Sequence, residues 1–256
     1  MSKRKKFVFT SFVLTLGFLV VQFADLQFRF LGISVLSVMS IFLFAWSLKE
    51  GLGKDTTLTA LVLPPMFTVG VGMFWFLLPS VIFTRIPVLV FYALGVYVLC
   101  LTTNIFTVAA MRTIALARAA KGVGFVLTLV TAFLLFDTIF SIKADIVLHV
   151  LLIFFVSLLL FFHGFWSSDL AKEFNTTIVI QALVCALLVS EMALILYFWP
   201  VTVVVGSIFL TATIYILMGL GQSYIEERLF KQTVKDYVML GILVLLAMIF
   251  VTRWGG

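Results

Sequence analysis

Apolar residues run along this chain in long blocks, and polar positions are confined to short gaps between them. A helix that crosses the hydrocarbon core of a bilayer needs roughly 20 apolar residues. Nine stretches meet that requirement: 7–24, 30–48, 57–82, 87–111, 122–141, 146–166, 176–199, 201–221 and 237–254. The least obvious division falls at Pro200. Residues 176–221 form one nearly unbroken apolar block. As a single helix it would be about 65–70 Å long, over twice the hydrocarbon thickness. The chain must therefore turn back, and Tyr197-Phe198-Trp199-Pro200 places an aromatic interface anchor beside a helix breaker. The pattern predicts an all-α polytopic transmembrane helix bundle of about nine spans, forming a single domain over residues 1–256. Residues 7–24 follow Lys3-Arg4-Lys5-Lys6, as in a signal peptide, but Gln22-Phe23-Ala24 is a poor cleavage site. An uncleaved first helix is the expectation.

Composition agrees with a lipid solvent. Hydrophobic residues make up 64% and charged residues 11%, where a soluble domain carries roughly half and a quarter. That much apolar side chain cannot be covered by so little polar surface in water. The 29 Phe are read as bulk lipid-facing side chains. The net charge of +6 lies in short loops, where it meets anionic headgroups; no basic stretch is long enough for nucleic acid. Membrane lipids are the expected partners, with a protein partner or a homo-oligomer next.

Charge also predicts orientation. With the N-terminus inside, the inner side holds Lys3, Arg4, Lys5, Lys6, Lys49, Lys54, Arg112, Arg118, Lys121, Lys172, Arg228, Lys231 and Lys235. The outer side holds Arg29, Arg85, Lys143 and Arg253. Short cytoplasmic loops are enriched in Lys and Arg, so the expectation is N-terminus in and C-terminus out. Trp46, Trp166, Tyr224 and Tyr237 then fall near inner boundaries, and Tyr197, Trp199 and Trp254 near outer ones. The longest loop, 222–236, places Glu227 four residues before Lys231 and is expected to extend the eighth helix.

Ionisable groups at membrane depth are costly and often mark function. Glu191 is the leading candidate, in the seventh helix about 12 Å below its outer end. Asp137 lies about one turn from the outer end of the fifth helix, and His149 about one turn into the sixth. With Glu191 they would form an outward-facing polar pocket, if the helices bring them together. Asp25 lies just past the first helix. The bland alternatives are interfacial placement for Asp25 and Asp137 and a protonated structural acid for Glu191. His149 and His163 share a face of the sixth helix but stand about 21 Å apart, too far to hold one metal ion. Tyr97, Cys100, Asn104 and Thr107 share a face of the fourth helix, which is expected to look into the bundle with Asn104 bonding across helices. In the third helix Pro64 and Pro65, followed by Gly70 and Gly72, imply a kink or break that could gate a pathway.

Other chemistry is missing. There is no phosphate-binding loop, zinc-protease motif, nucleophile elbow or GxxxG pair, and no Lys in 237–254 for a retinal. Asn175-Thr176-Thr177 matches a glycosylation sequon but falls on the expected cytoplasmic side. Cys100 and Cys185 lie mid-span without metal spacing and read as packing residues. No metal and no cofactor is expected.

Arg112-Thr113-Ile114 through Leu116-Ala117-Arg118-Ala119-Ala120, then Gly122-Val123-Gly124-Phe125, resembles a family of uncharacterised multi-pass membrane proteins from candidate-phyla bacteria. The resemblance covers the helix layout and this loop–helix junction. It implies a bacterial inner-membrane setting and no assigned activity. Three functions remain open. The first is a passive or proton-coupled transporter or lipid-handling protein, with Glu191 as coupling group helped by Asp137 and His149. The second is a non-catalytic membrane subunit or scaffold. The third is an intramembrane enzyme on a lipid-linked substrate, with Asp137 or Glu191 as general base. An enzyme is the less favoured class.

Overall fold

The structure, a computed structural model, describes residues 2–49, 59–79, 81–109, 116–169 and 176–252. Described residues fold into helices: α1 Lys3–Phe23, α2 Leu26–Leu48, α3 Leu63–Trp75, α4 Ile82–Ala109, α5 Ala117–Ile142, α6 Ile146–Asp169, α7 Thr176–Phe198, α8 Val203–Ile225 and α9 Lys231–Val251. All but α3 are long and apolar enough to cross a bilayer. Lipid offers backbone groups no hydrogen bonds, and a helix satisfies its own, so each apolar block has one stable form there.

The apolar block predicted at 57–82 departs most from expectation. Its described part turns at residues 61–62, resumes as a helix at Leu63 and ends in turns after Trp75. At 13 residues α3 is about 20 Å long. Pro64 and Pro65 occupy its first turn, where their missing N–H groups have no intrahelical partner to lose. They follow closely on the interruption at residues 61–62. By contrast, α4 starts five residues before the predicted 87 and contains Pro87 in its second turn. Pro200 separates α7 from α8 as expected. The loop 222–236 is split: α8 runs to Ile225, Glu227 takes a left-handed φ of 55°, and α9 begins at Lys231. The predicted helical Glu227–Lys231 spacing does not form, because the helix has ended between them. Lys54, Arg112, Lys172, Asn175, Arg253 and Trp254 lie outside the described residues.

The chain divides into two compact units, Met1–Thr131 and Ala132–Gly256, with the division inside α5. In the first unit the core forms around α3 and α4. Phe67 and Tyr92 are both fully buried and stack with ring centroids 6.1 Å apart. Phe18 of α1 closes on Tyr92 at 4.8 Å. The Tyr92 hydroxyl meets Thr68 Oγ1 at 3.1 Å, so the polar tip of a buried ring finds a partner. Ser11 of α1 donates to the Ala93 carbonyl of α4 at 2.7 Å.

In the second unit α7 packs through a seam of small residues. Ala182, Ala186, Ser190 and Ala193 are buried along one side while most of the remaining surface is exposed. Small side chains let helix backbones approach closely, the usual basis of helix association in lipid. Phe161 and Phe165 of α6 are fully buried and stacked, with Gly221 of α8 against the Phe165 ring. Gln222 donates to the Gly164 carbonyl at 3.0 Å. The peripheral α9 buries only Met248 among its own residues. It is tied at one end by Trp199, whose indole N–H donates to Thr252 Oγ1 at 3.0 Å.

Candidate functional site

One end of the second unit gathers polar side chains from four helices. Here α5 finishes, α6 begins, α7 finishes and α8 begins. Asp137 lies five residues before the end of α5 and is 5% exposed. Its Oδ1 has no hydrogen-bond partner among the described residues. The hydroxyl of Ser207, in the second turn of α8, neighbours this carboxyl. Ser207 also donates to the Val203 carbonyl at 2.8 Å.

Phe140, one turn beyond Asp137, carries the site to α6. The His149 ring stands edge-on to Phe140 with centroids 4.7 Å apart. Tyr197 of α7 also meets this ring, at 5.5 Å between centroids. His149 is 2% exposed, and its Nε2 has no partner among the described residues. The Tyr197 hydroxyl donates to the Ala144 carbonyl at 3.4 Å. Gly206, adjacent to Ser207, lies beneath the Phe140 ring. A side chain there would press on the ring that holds His149.

The Asp137–Ser207 pair can do one thing chemically. A hydroxyl has a single hydrogen to give. While Ser207 gives it to Val203, any bond between Ser207 and Asp137 would have to be donated by a protonated carboxyl. Once that carboxyl loses its proton, the hydroxyl must turn towards it and release Val203. The two arrangements differ by one proton and one hydroxyl rotation.

The other candidates fall elsewhere. Glu191 is exposed on α7, among the exposed Leu187, Leu188, Leu194 and Ile195. Asp25 is exposed at the start of α2 in the first unit. Of the acids and histidine weighed for an enzyme, Asp137 and His149 alone are buried. His163 is buried with its ring 6.0 Å from Trp166. On α4, Cys100 and Thr107 are fully buried and Asn104 is half-buried, as expected of an inward face. Thr107 donates to the Asn104 carbonyl at 3.0 Å. Pro64, Gly70 and Gly72 are buried in α3, with Gly72 against Ile33 of α2; Pro65 is half-buried and its carbonyl accepts from Ser37 at 3.4 Å. No group of three His, Cys, Asp or Glu that could hold a metal ion occurs among the described residues.

Sequence reasoning does not reach Ser207, Tyr197 or Phe140 as site residues. It reads Tyr197 as an interface anchor. Ser207 gives one signal, a hydroxyl beside a glycine near a span's end, shared by many packing residues.

These features define a multi-pass integral membrane protein of helical type, with a small buried polar centre near one end of its second unit. The chain belongs to a family of proteins of unknown function, DUF5656, whose model matches residues 10–251. No curated protein and no solved structure matches it.

Proposed function

We propose that this protein is a proton-coupled or passive membrane transporter or lipid-handling protein of a bacterial cytoplasmic membrane, with its N-terminus inside and its C-terminus outside. Its protonatable centre is Asp137 with Ser207, flanked by His149. The observation that carries this reading is the buried Asp137 carboxyl, whose Oδ1 has no partner among the described residues, beside the Ser207 hydroxyl that donates to the Val203 carbonyl. Buried ionisable groups in spanning helices commonly mark proton or ion pathways. The coupling role expected of Glu191 passes to Asp137, since Glu191 is exposed among apolar side chains.

Infrared difference spectroscopy on protein reconstituted in lipid tests it without knowledge of the substrate. A pH step should change a carboxylic acid C=O band, and Asp137→Asn should remove that change. A spectrum that does not respond to pH, or a response intact in Asp137→Asn, would sink the assignment.

A membrane-subunit role is the second reading, supported by the exposed Glu191. A carboxyl at that depth gains most from a donor on a neighbouring helix. A stoichiometric partner that co-purifies with the native protein and is lost in Glu191→Leu is expected on this reading. A solitary native protein counts against it.

A further inference from the structure

The corner between α1 and α2 holds two guanidinium groups on one turn of chain. Arg29, in the first turn of α2, donates Nε–H back to the Ala24 carbonyl at 3.0 Å. Its guanidinium carbon lies 5.9 Å from the Phe76 ring centroid. Arg85, in the first turn of α4, lies 4.7 Å from the centroid of Phe23. Its Nε is buried and unpartnered among the described residues. Phe23 and Ala24 are consecutive, so the two arginines, 56 positions apart in sequence, are held by neighbouring residues. Cation–π contacts of this kind fix each planar group over a ring while its outer N–H donors stay free to bond.

The acid at this corner forms no ion pair with either arginine among the described residues. Asp25 is exposed, and its side chain does not cap α2. It precedes Arg29 by four residues, a spacing that favours an ion pair, yet Arg29 turns back to Ala24. Beneath the corner, Gln22 is 1% exposed and neither of its amide atoms is paired among the described residues. The corner therefore carries two cations and unmet hydrogen-bonding capacity. The surface around it is apolar: Phe28, Phe30, Ile82 and Phe83 are all exposed, Phe83 at 85%.

We infer that this corner binds a phosphate group, and that the phosphate belongs to the headgroup of an anionic phospholipid. Guanidinium forks match phosphate oxygens two at a time, and Arg is favoured wherever that planar geometry counts. A free phosphate ion offers the same oxygens. It has no use for the exposed Phe and Ile side chains, against which acyl chains lie naturally. This site belongs to the first unit and stands or falls independently of Asp137.

The test is native mass spectrometry of the full chain in detergent micelles, with phosphatidylglycerol, phosphatidylcholine or inorganic phosphate added. Phosphatidylglycerol adducts are expected to exceed those of phosphatidylcholine. They should fall about tenfold or more in the Arg29→Gln/Arg85→Gln variant. Lys143→Gln, which removes a cation from the second unit, should leave them unchanged. Arg29→Lys/Arg85→Lys keeps both charges and removes the forks, so it should show a smaller loss; it also serves if the glutamine variant fails to fold. Inorganic phosphate should not displace the lipid. Displacement by millimolar phosphate would overturn the lipid assignment in favour of the free anion. Equal adducts in the folded glutamine variant and the native protein would overturn the site altogether.

Discussion

Gly95→Ala is expected to destabilise the protein by about 2 kcal/mol, while Gly122→Ala raises stability by up to about 1 kcal/mol. On helix propensity alone both changes should help, since Ala loses less chain entropy than Gly. Packing reverses the sign at Gly95. A β-carbon there would fall against the ring atoms of Phe67, which is fully buried and stacked on Tyr92. A fully buried ring stacked on another cannot swing aside as the tip of a Met can, so α3 or α4 has to shift. Around Gly122 in α5 the nearest atoms lie more than 4 Å from such a carbon. Thermal unfolding of the two variants in detergent, read by tryptophan fluorescence, checks the pair. Equal shifts of the same sign would show that Phe67 does not press on α4.

Asp137→Leu is expected to stabilise the fold, by about 1–2 kcal/mol, while removing the pH-dependent carboxyl signal. The two side chains have the same branched shape. A leucine at this position would leave no orphaned oxygen, and Ser207 would keep its bond to the Val203 carbonyl. A polar group kept at a cost in stability points to selection for something other than folding. Unfolding midpoints of Asp137→Leu against the native chain measure this directly. A marked loss of stability would mean that the carboxyl is a structural bond, and the proton-handling proposal would fail with it.

Much of the fold was legible because hydropathy in a membrane is a property of a segment, summed along one dimension. Length and apolar content alone placed α1, α2 and α4–α9, with ends shifted by a few residues. The shift at α4 has a simple cause. Pro87 reads as a helix start, yet a helix six residues old at that point can lose the bond to residue 83 and continue. The short α3 was harder, because 57–82 is apolar throughout and composition cannot mark where the helix begins within it.

The candidate site was legible in part. Asp137 and His149 stood out as polar residues in apolar helices. Glu191 stood out in the same way, yet it is exposed on α7. The difference is rotational. A helix that is apolar on every side gives little periodic signal for which face turns inward. Small residues at Ala182, Ala186, Ser190 and Ala193 decide it on α7, and they turn Glu191 away from the buried seam.

By itself the sequence determined the solvent, most of the secondary structure and where each polar group stands along its helix, since these follow from local composition and a 1.5 Å rise per residue. Tertiary structure decided which groups meet: Asp137 near Ser207, His149 with Phe140 and Tyr197, and Arg29 and Arg85 against the consecutive Ala24 and Phe23. Those pairings depend on helix rotation and on close contacts such as that of Gly206 with Phe140. Shape complementarity between residues far apart in the chain sets both, and hydropathy along the chain does not encode it.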